Sequence, residues 1–125
     1  MKIAIDLDNT ITASRESIEF FEILTHLLIP EHRLYIITDR EPYTEQQVAD
    51  ELDYLGIEYN EIVITAQKAQ FVRENKISIY FENKDECFLE LGEEVTVFKI
   101  RETDNFSFSA KKWIGSKKTV KMTDK

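Results

Sequence analysis

The stretch Lys2-Ile3-Ala4-Ile5-Asp6-Leu7-Asp8-Asn9-Thr10 decides the fold. Its run from Lys2 to Leu7 is almost wholly apolar, the pattern of a strand covered on both faces rather than one with a wet side. The run stops at a polar cluster, Asp8-Asn9-Thr10. A strand buried on both faces needs helices over it, and the downstream sequence supplies them in alternation.

Ser14 is placed to cap a helix running to about Leu28, with Ile18, Phe21, Leu24 and Leu28 at helical spacing and Pro30 beyond its end. Arg33 to Thr38 (RLYIIT) is a second buried-strand run. Thr44 with Gln47 three residues on reads as a capping box for a helix that buries Val48, Leu52 and Leu55 and stops at Gly56. The alternation continues with a strand at Ile62-Val63-Ile64, a helix from Ala66 to about Lys76, and a strand from Ile77 to Phe81. A short helix from Asp85 to Leu91, closed by Gly92, and a strand from Val95 to Ile100 follow. Strands alternating with helices predict an α/β fold, a three-layer, doubly wound, mostly parallel sheet of Rossmann type. Residues 101–125 read as a β-hairpin or an extended Lys-rich tail. In the hairpin reading, Gly115-Ser116 turns between Trp113-Ile114 and Thr119-Val120.

At 125 residues the chain has the length of one domain, and residues 1–125 show no linker or repeat that would divide it. Hydrophobic residues at 42% and charged residues at 32%, with three Gly and two Pro, predict a packed core and exclude disordered or fibrous classes. The longest apolar runs fall well short of the ~18 residues of a membrane span, and Met1-Lys2 leads into a strand rather than a signal peptide. With the single Cys87 this predicts a reducing, cytoplasmic setting and no membrane partner. Residues 1–110 carry a net charge of −13 and residues 111–125 a net +5. The acidic body disfavours nucleic acid as a partner, and the tail lysines read as a solvated end.

In an open parallel sheet, ligands bind beyond the carboxyl ends of the strands. Those ends are polar here: Asp6-Leu7-Asp8-Asn9-Thr10, then Thr38-Asp39-Arg40, then Thr65 with Lys68 in the next helical turn, then Glu82-Asn83-Lys84-Asp85-Glu86. With this content of Asp and Thr, a D-x-D-x-T pattern should arise by chance roughly 0.04 times in the chain. In this order and spacing the chain from Lys2 to Ile100 resembles the haloacid dehalogenase superfamily of phosphotransferases. The signatures of that family are D-x-D-x-T closing the first strand, a Ser/Thr closing the second, a Lys, and acidic residues after the fourth.

The resemblance implies a Mg2+-dependent phosphatase that works through an aspartyl-phosphate. Asp6 would be the nucleophile and Asp8 the acid and base, with Thr38 and Lys68 holding the phosphoryl oxygens. Asn9 and Thr10 join Thr38 and Lys68 as substrate-binding candidates. Asp6, Asp8, Glu82, Asn83, Asp85 and Glu86 are the metal candidates, magnesium being a hard ion that takes oxygen ligands. Asp39 and Arg40 read as a loop ion pair or turn, and Cys87 as a small buried hydrophobe.

The chain departs from the family after the fourth strand. The family's acidic pair is matched by Glu82-Asn83, or its four-residue acid spacing by Glu82 and Glu86. A Glu-Asn pair carries one negative charge fewer, so a catalytically impaired phosphate- or metal-binding module is the alternative reading. A two-component receiver domain is a third, but it needs its phosphoacceptor Asp at the end of the third strand, where Thr65 stands. Thr10 and Thr38 are 28 positions apart, and Thr38 and Lys68 are 30 apart. Each interval is used up by one helix and one strand, leaving no room for a cap domain of ~50 residues. An open site suits a phosphorylated small molecule, an accessible phosphate on a macromolecule, or a homo-oligomer in which a second subunit covers the site.

Overall fold

A computed structural model describes residues 1–115 of the chain. Strand β1 (Lys2–Asp6) lies at the centre of a five-stranded sheet. Its companions are β2 (Arg33–Thr38), β3 (Glu61–Ile64), β4 (Ile79–Glu82) and β5 (Thr96–Lys99), in the order β3-β2-β1-β4-β5. All four pairings are parallel. The helices α1 (Arg15–Leu28), α2 (Glu45–Leu55) and α3 (Lys68–Glu74) form the crossovers. The chain builds outward from β1 through β2 to β3, then returns to lay β4 on the opposite side of β1. This reversal places a crevice at the carboxyl ends of β1 and β4, where sheets of this kind bind ligands.

Alternation along the strands sends side chains to two separate cores. Ile3 and Ile5 of β1 and Leu34 and Ile36 of β2 pack with Phe21 of α1 and Val48 and Leu52 of α2. Ala4, Tyr35, Ile37 and Tyr80 point the other way, with Val72 of α3, Ile77 and Val95. Each large side chain removed from water here contributes about 1.5–3 kcal/mol before the cost of ordering it. Covering both faces is what the unbroken apolar runs require.

Ser14 caps α1 as expected, its hydroxyl accepting the Ser17 N–H at 3.0 Å. The capping box at Thr44 does not form. A 3-10 turn, Pro42–Thr44, precedes α2, and it turns the Thr44 hydroxyl back to donate to the Glu41 carbonyl at 2.6 Å. Gly56 ends α2 with φ +76°, the left-handed conformation that glycine adopts without strain. Helix α3 begins at Lys68 rather than Ala66, because Thr65 first makes a side-chain turn, its Oγ1 accepting the Gln67 N–H at 2.9 Å.

The helix expected over Asp85 to Leu91 is only a 3-10 turn, Asp85–Cys87, followed by further turns. Successive bonds from Cys87 N to Lys84 O, Phe88 N to Asp85 O and Leu91 N to Phe88 O all close over three residues, and Leu89 is left 73% exposed. Seven residues make too few internal hydrogen bonds to repay helix nucleation once Asp85 is drawn aside to Lys99. Among the described residues a short hairpin follows β5. It pairs β6 (Phe106–Ser107) with β7 (Lys112–Trp113), antiparallel, so Trp113 faces Phe106 and the turn lies at 108–111. Lys111 supplies the positive φ of that turn, at 56°. The expected turn residue Ser116, the strand Thr119-Val120 and Lys117, Lys118, Lys121 and Lys125 lie outside the described residues. Among the described residues no helix is long and apolar enough to cross a membrane.

Candidate active site

Asp6 is the last residue of β1 and is buried. Register sets its neighbours: it stands opposite Ile37, one residue before Thr38, while Ile5 stands opposite Phe81, one residue before Glu82. Lys68, first residue of α3, reaches in from the side, its Nζ 2.5 Å from Asp6 Oδ1 and 3.2 Å from Glu82 Oε1. Thr10 closes the group from above. Its hydroxyl lies 2.8 Å from Asp6 Oδ2 and 3.3 Å from Asn83 Oδ1. Asp6, Thr10, Thr38, Lys68, Glu82 and Asn83 are all buried at the carboxyl ends of β1, β2 and β4.

Glu82 is turned into the protein. Its Oε1 accepts from the Tyr80 hydroxyl and Lys68, and its Oε2 from the backbone N–H groups of Asn83 at 3.1 Å and Lys84 at 3.3 Å. A carboxylate so fully satisfied serves to hold the turn and Lys68. The extra methylene that distinguishes Glu from Asp is what lets it fold back this way.

The charges do not cancel. Two buried carboxylates face one buried ammonium, and burial together with the Glu82 charge pushes Asp6 up from 3.8 to about 7. Burial opposes the charge on Lys68, but Asp6 and Glu82 outweigh it and hold its pKa above the usual value. Burial and Glu82 raise the Tyr80 hydroxyl likewise and push the Cys87 thiol up to about 12. Cys87, half-buried against the second core, is thus inert as a nucleophile, as its reading as a hydrophobe implies.

Three expected site residues stand apart from this cluster. Asp8 sits at the mouth, about half exposed, with both oxygens on Arg40: Nη2 to Oδ1 at 2.7 Å and Nε to Oδ2 at 3.0 Å. Arg40 also donates to Glu51 of α2, from Nη1 at 3.0 Å and Nη2 at 3.3 Å, and its hydrogen bonds to Asp8 and Glu51 raise its pKa further. Asn9, at φ 61°, directs its side chain to Asp104 at 3.0 Å. Asp85 pairs with Lys99. Asp39 lies 3.9 Å from Lys84. Thr38 accepts the Arg40 N–H on its hydroxyl at 3.4 Å.

A further layer was not legible from the motifs. Glu102, after β5, accepts from Asn83 Nδ2 at 3.1 Å and from Asp104 N at 2.9 Å. Asn105 donates to the carbonyls of Asn83 and Ile100, each at 2.7 Å, and accepts the Glu102 N–H at 2.9 Å. These residues fasten the loop after β5 to the end of β4. The rule that polar strand ends build the site pointed to them, had it been applied to β5 as well as to the first four strands.

No three His, Cys, Asp or Glu side chains are grouped to hold a metal ion among the described residues. The oxygens nevertheless fit a hard cation. Thr10 has one hydroxyl hydrogen for two acceptors, so Asp6 Oδ2 or Asn83 Oδ1 always lacks a donor. Glu86 has both carboxylate oxygens buried without a hydrogen-bond partner, and other parts of the residue line, with Asn83, a cavity of about 450 Å³. With the surplus negative charge at Asp6, these are sites that a divalent ion would satisfy. Comparison of the chain with models of known protein families, with curated proteins and with solved structures finds no match.

Proposed function

We propose that the chain is a phosphohydrolase acting on phosphate monoesters, with the capless fold of the haloacid dehalogenase type. The observation that carries this reading is the juxtaposition of Asp6, Thr10 and Lys68, in contact, beside buried Thr38 at the topological reversal of the sheet. Asp6 attacks phosphorus, the ester P–O bond breaks, and the leaving oxygen takes a proton from Asp8. Water then attacks the aspartyl-phosphate, Asp8 takes the proton back, and inorganic phosphate leaves. Lys68 and the Thr38 hydroxyl face the phosphoryl oxygens during both transfers. Asp6, Asn83 and Glu86 are the residues of this chain suited to hold magnesium. When bound, the ion offsets the repulsion between the carboxylate and the phosphate dianion.

The inward turn of Glu82 favours a second reading. With Glu82 committed to Tyr80, Lys68 and two backbone N–H groups, the fourth motif offers the ion one charge fewer, and the chain would bind phosphate without turning it over. Hydrolysis of an aryl phosphate with and without magnesium, alongside Asp6→Asn, separates the two. Magnesium-dependent release abolished in the variant supports the hydrolase, and saturable phosphate binding without release supports the binding module.

A further inference from the structure

We propose that Arg40 is an anion-operated latch on Asp8: its guanidinium holds both oxygens of that carboxylate until the phosphoryl group of a monoester takes the guanidinium over and frees Asp8. This rests on the phosphohydrolase reading and adds the group that senses the substrate's charge. It also supplies the means by which the acid is kept idle.

The geometry carries the inference in three steps. Asp8 can pass a proton only from an oxygen that reaches the leaving group, and Arg40 occupies one oxygen with Nη2 and the other with Nε. Release of Asp8 does not send Arg40 into solvent, because Glu51 holds it from the opposite side through Nη1 and Nη2. The base of the side chain is already on the wall of the site, where the Arg40 N–H meets the hydroxyl of Thr38.

The exchange also selects a substrate class. A planar guanidinium accepts phosphate through the same two-pronged contact it makes with a carboxylate, and a dianion competes for it better than the single charge of Asp8. Phosphate monoesters carry that second charge and diesters do not. Lys84, by contrast, is a point charge 3.9 Å from Asp39 and has no such fork. The latch therefore predicts preference for dianionic monoesters over diesters.

Arg40 is one of five arginines, so its Nε–Hε resonance can be followed in the full chain labelled with 15N-arginine and assigned with Arg40→Lys. Titration with inorganic phosphate in magnesium should move this resonance saturably, while dimethyl phosphate at equal concentration leaves it in place. Calorimetry should show inorganic phosphate bound about tenfold more weakly by Arg40→Lys and severalfold more tightly by Asp8→Asn, with the gain shrinking in the double variant. Phosphate binding that leaves the Arg40 resonance unmoved and the Arg40→Lys affinity unchanged overturns the latch alone. Absence of phosphate binding overturns the latch and the phosphohydrolase reading together.

Discussion

Lys68 and Asp6 stand 62 residues apart in sequence and 2.5 Å apart in the folded protein, and with Glu82 they form a buried triad of two carboxylates and one ammonium. The triad is the electrostatic hinge of the site. Removing either charged partner alters what the other must do without water.

Lys68→Met should leave Asp6 and Glu82 buried without a counter-charge, at a cost of about 3–5 kcal/mol. The loss should appear in urea denaturation at neutral pH. A variant as stable as the parent would show that the ammonium contributes nothing net to the fold.

Asp6→Asn should act in the opposite sense. In metal-free protein the Asp6 pKa lies near 7 folded against 3.8 as a free group, so the folded state binds the proton more tightly. Its contribution is complete below pH 3.8 and is lost as pH rises through 7. An amide avoids that loss, and its NH2 can donate to Thr10 Oγ1, releasing the Thr10 hydrogen to Asn83. The variant should gain on the order of 1 kcal/mol or more at pH 8, shrinking towards pH 4. Urea melts in EDTA across this range test it, and a gain independent of pH would point to some other cause.

Asn105→Ala removes one acceptor from the Glu102 N–H and one donor each from the carbonyls of Asn83 and Ile100. A loss of about 2–3 kcal/mol is expected for buried groups left unpaired, with turnover falling as Asn83 loosens. Comparing thermal melts and aryl phosphate hydrolysis at a temperature where both proteins are folded separates the two effects.

Gly56→Ala should cost about 1–2 kcal/mol from the left-handed backbone alone. A Cβ there would also come 2.9 Å from Glu22 Oε2, but that atom ends a flexible side chain and can move aside. Glu22→Ala combined with Gly56→Ala should therefore recover little of the loss in a denaturant melt.

The sheet was legible from local pattern because β1 and β2 are buried on both faces, which leaves an unmistakable apolar run. Ser14 was legible for a similar reason, since a cap acts within three residues. The expected helix after β4 and the capping box at Thr44 failed where tertiary constraints won: Asp85 is tied to Lys99, and the 3-10 turn redirects the Thr44 hydroxyl. Asp6, Thr10 and Lys68 could be read because motif order implied their meeting. The partners of Asn83 could not, because Glu102 and Asn105 reach it across 19 and 22 positions through a loop whose path no periodicity encodes. Arg40 looked like a turn residue because its partners, Asp8 and Glu51, lie on two other elements.

The central position of β1 has a consequence for the chain as it is made. Strand β1 gains β2 as a neighbour once residue 38 has emerged, but its other edge waits for β4, and the last fastening of Asn83 waits for Asn105. The half-sheet β3-β2-β1 can thus assemble on the nascent chain while Lys68 still lacks Glu82 as its second partner. The site thus ripens in stages, and its last clasp closes only after Asn105 has been made.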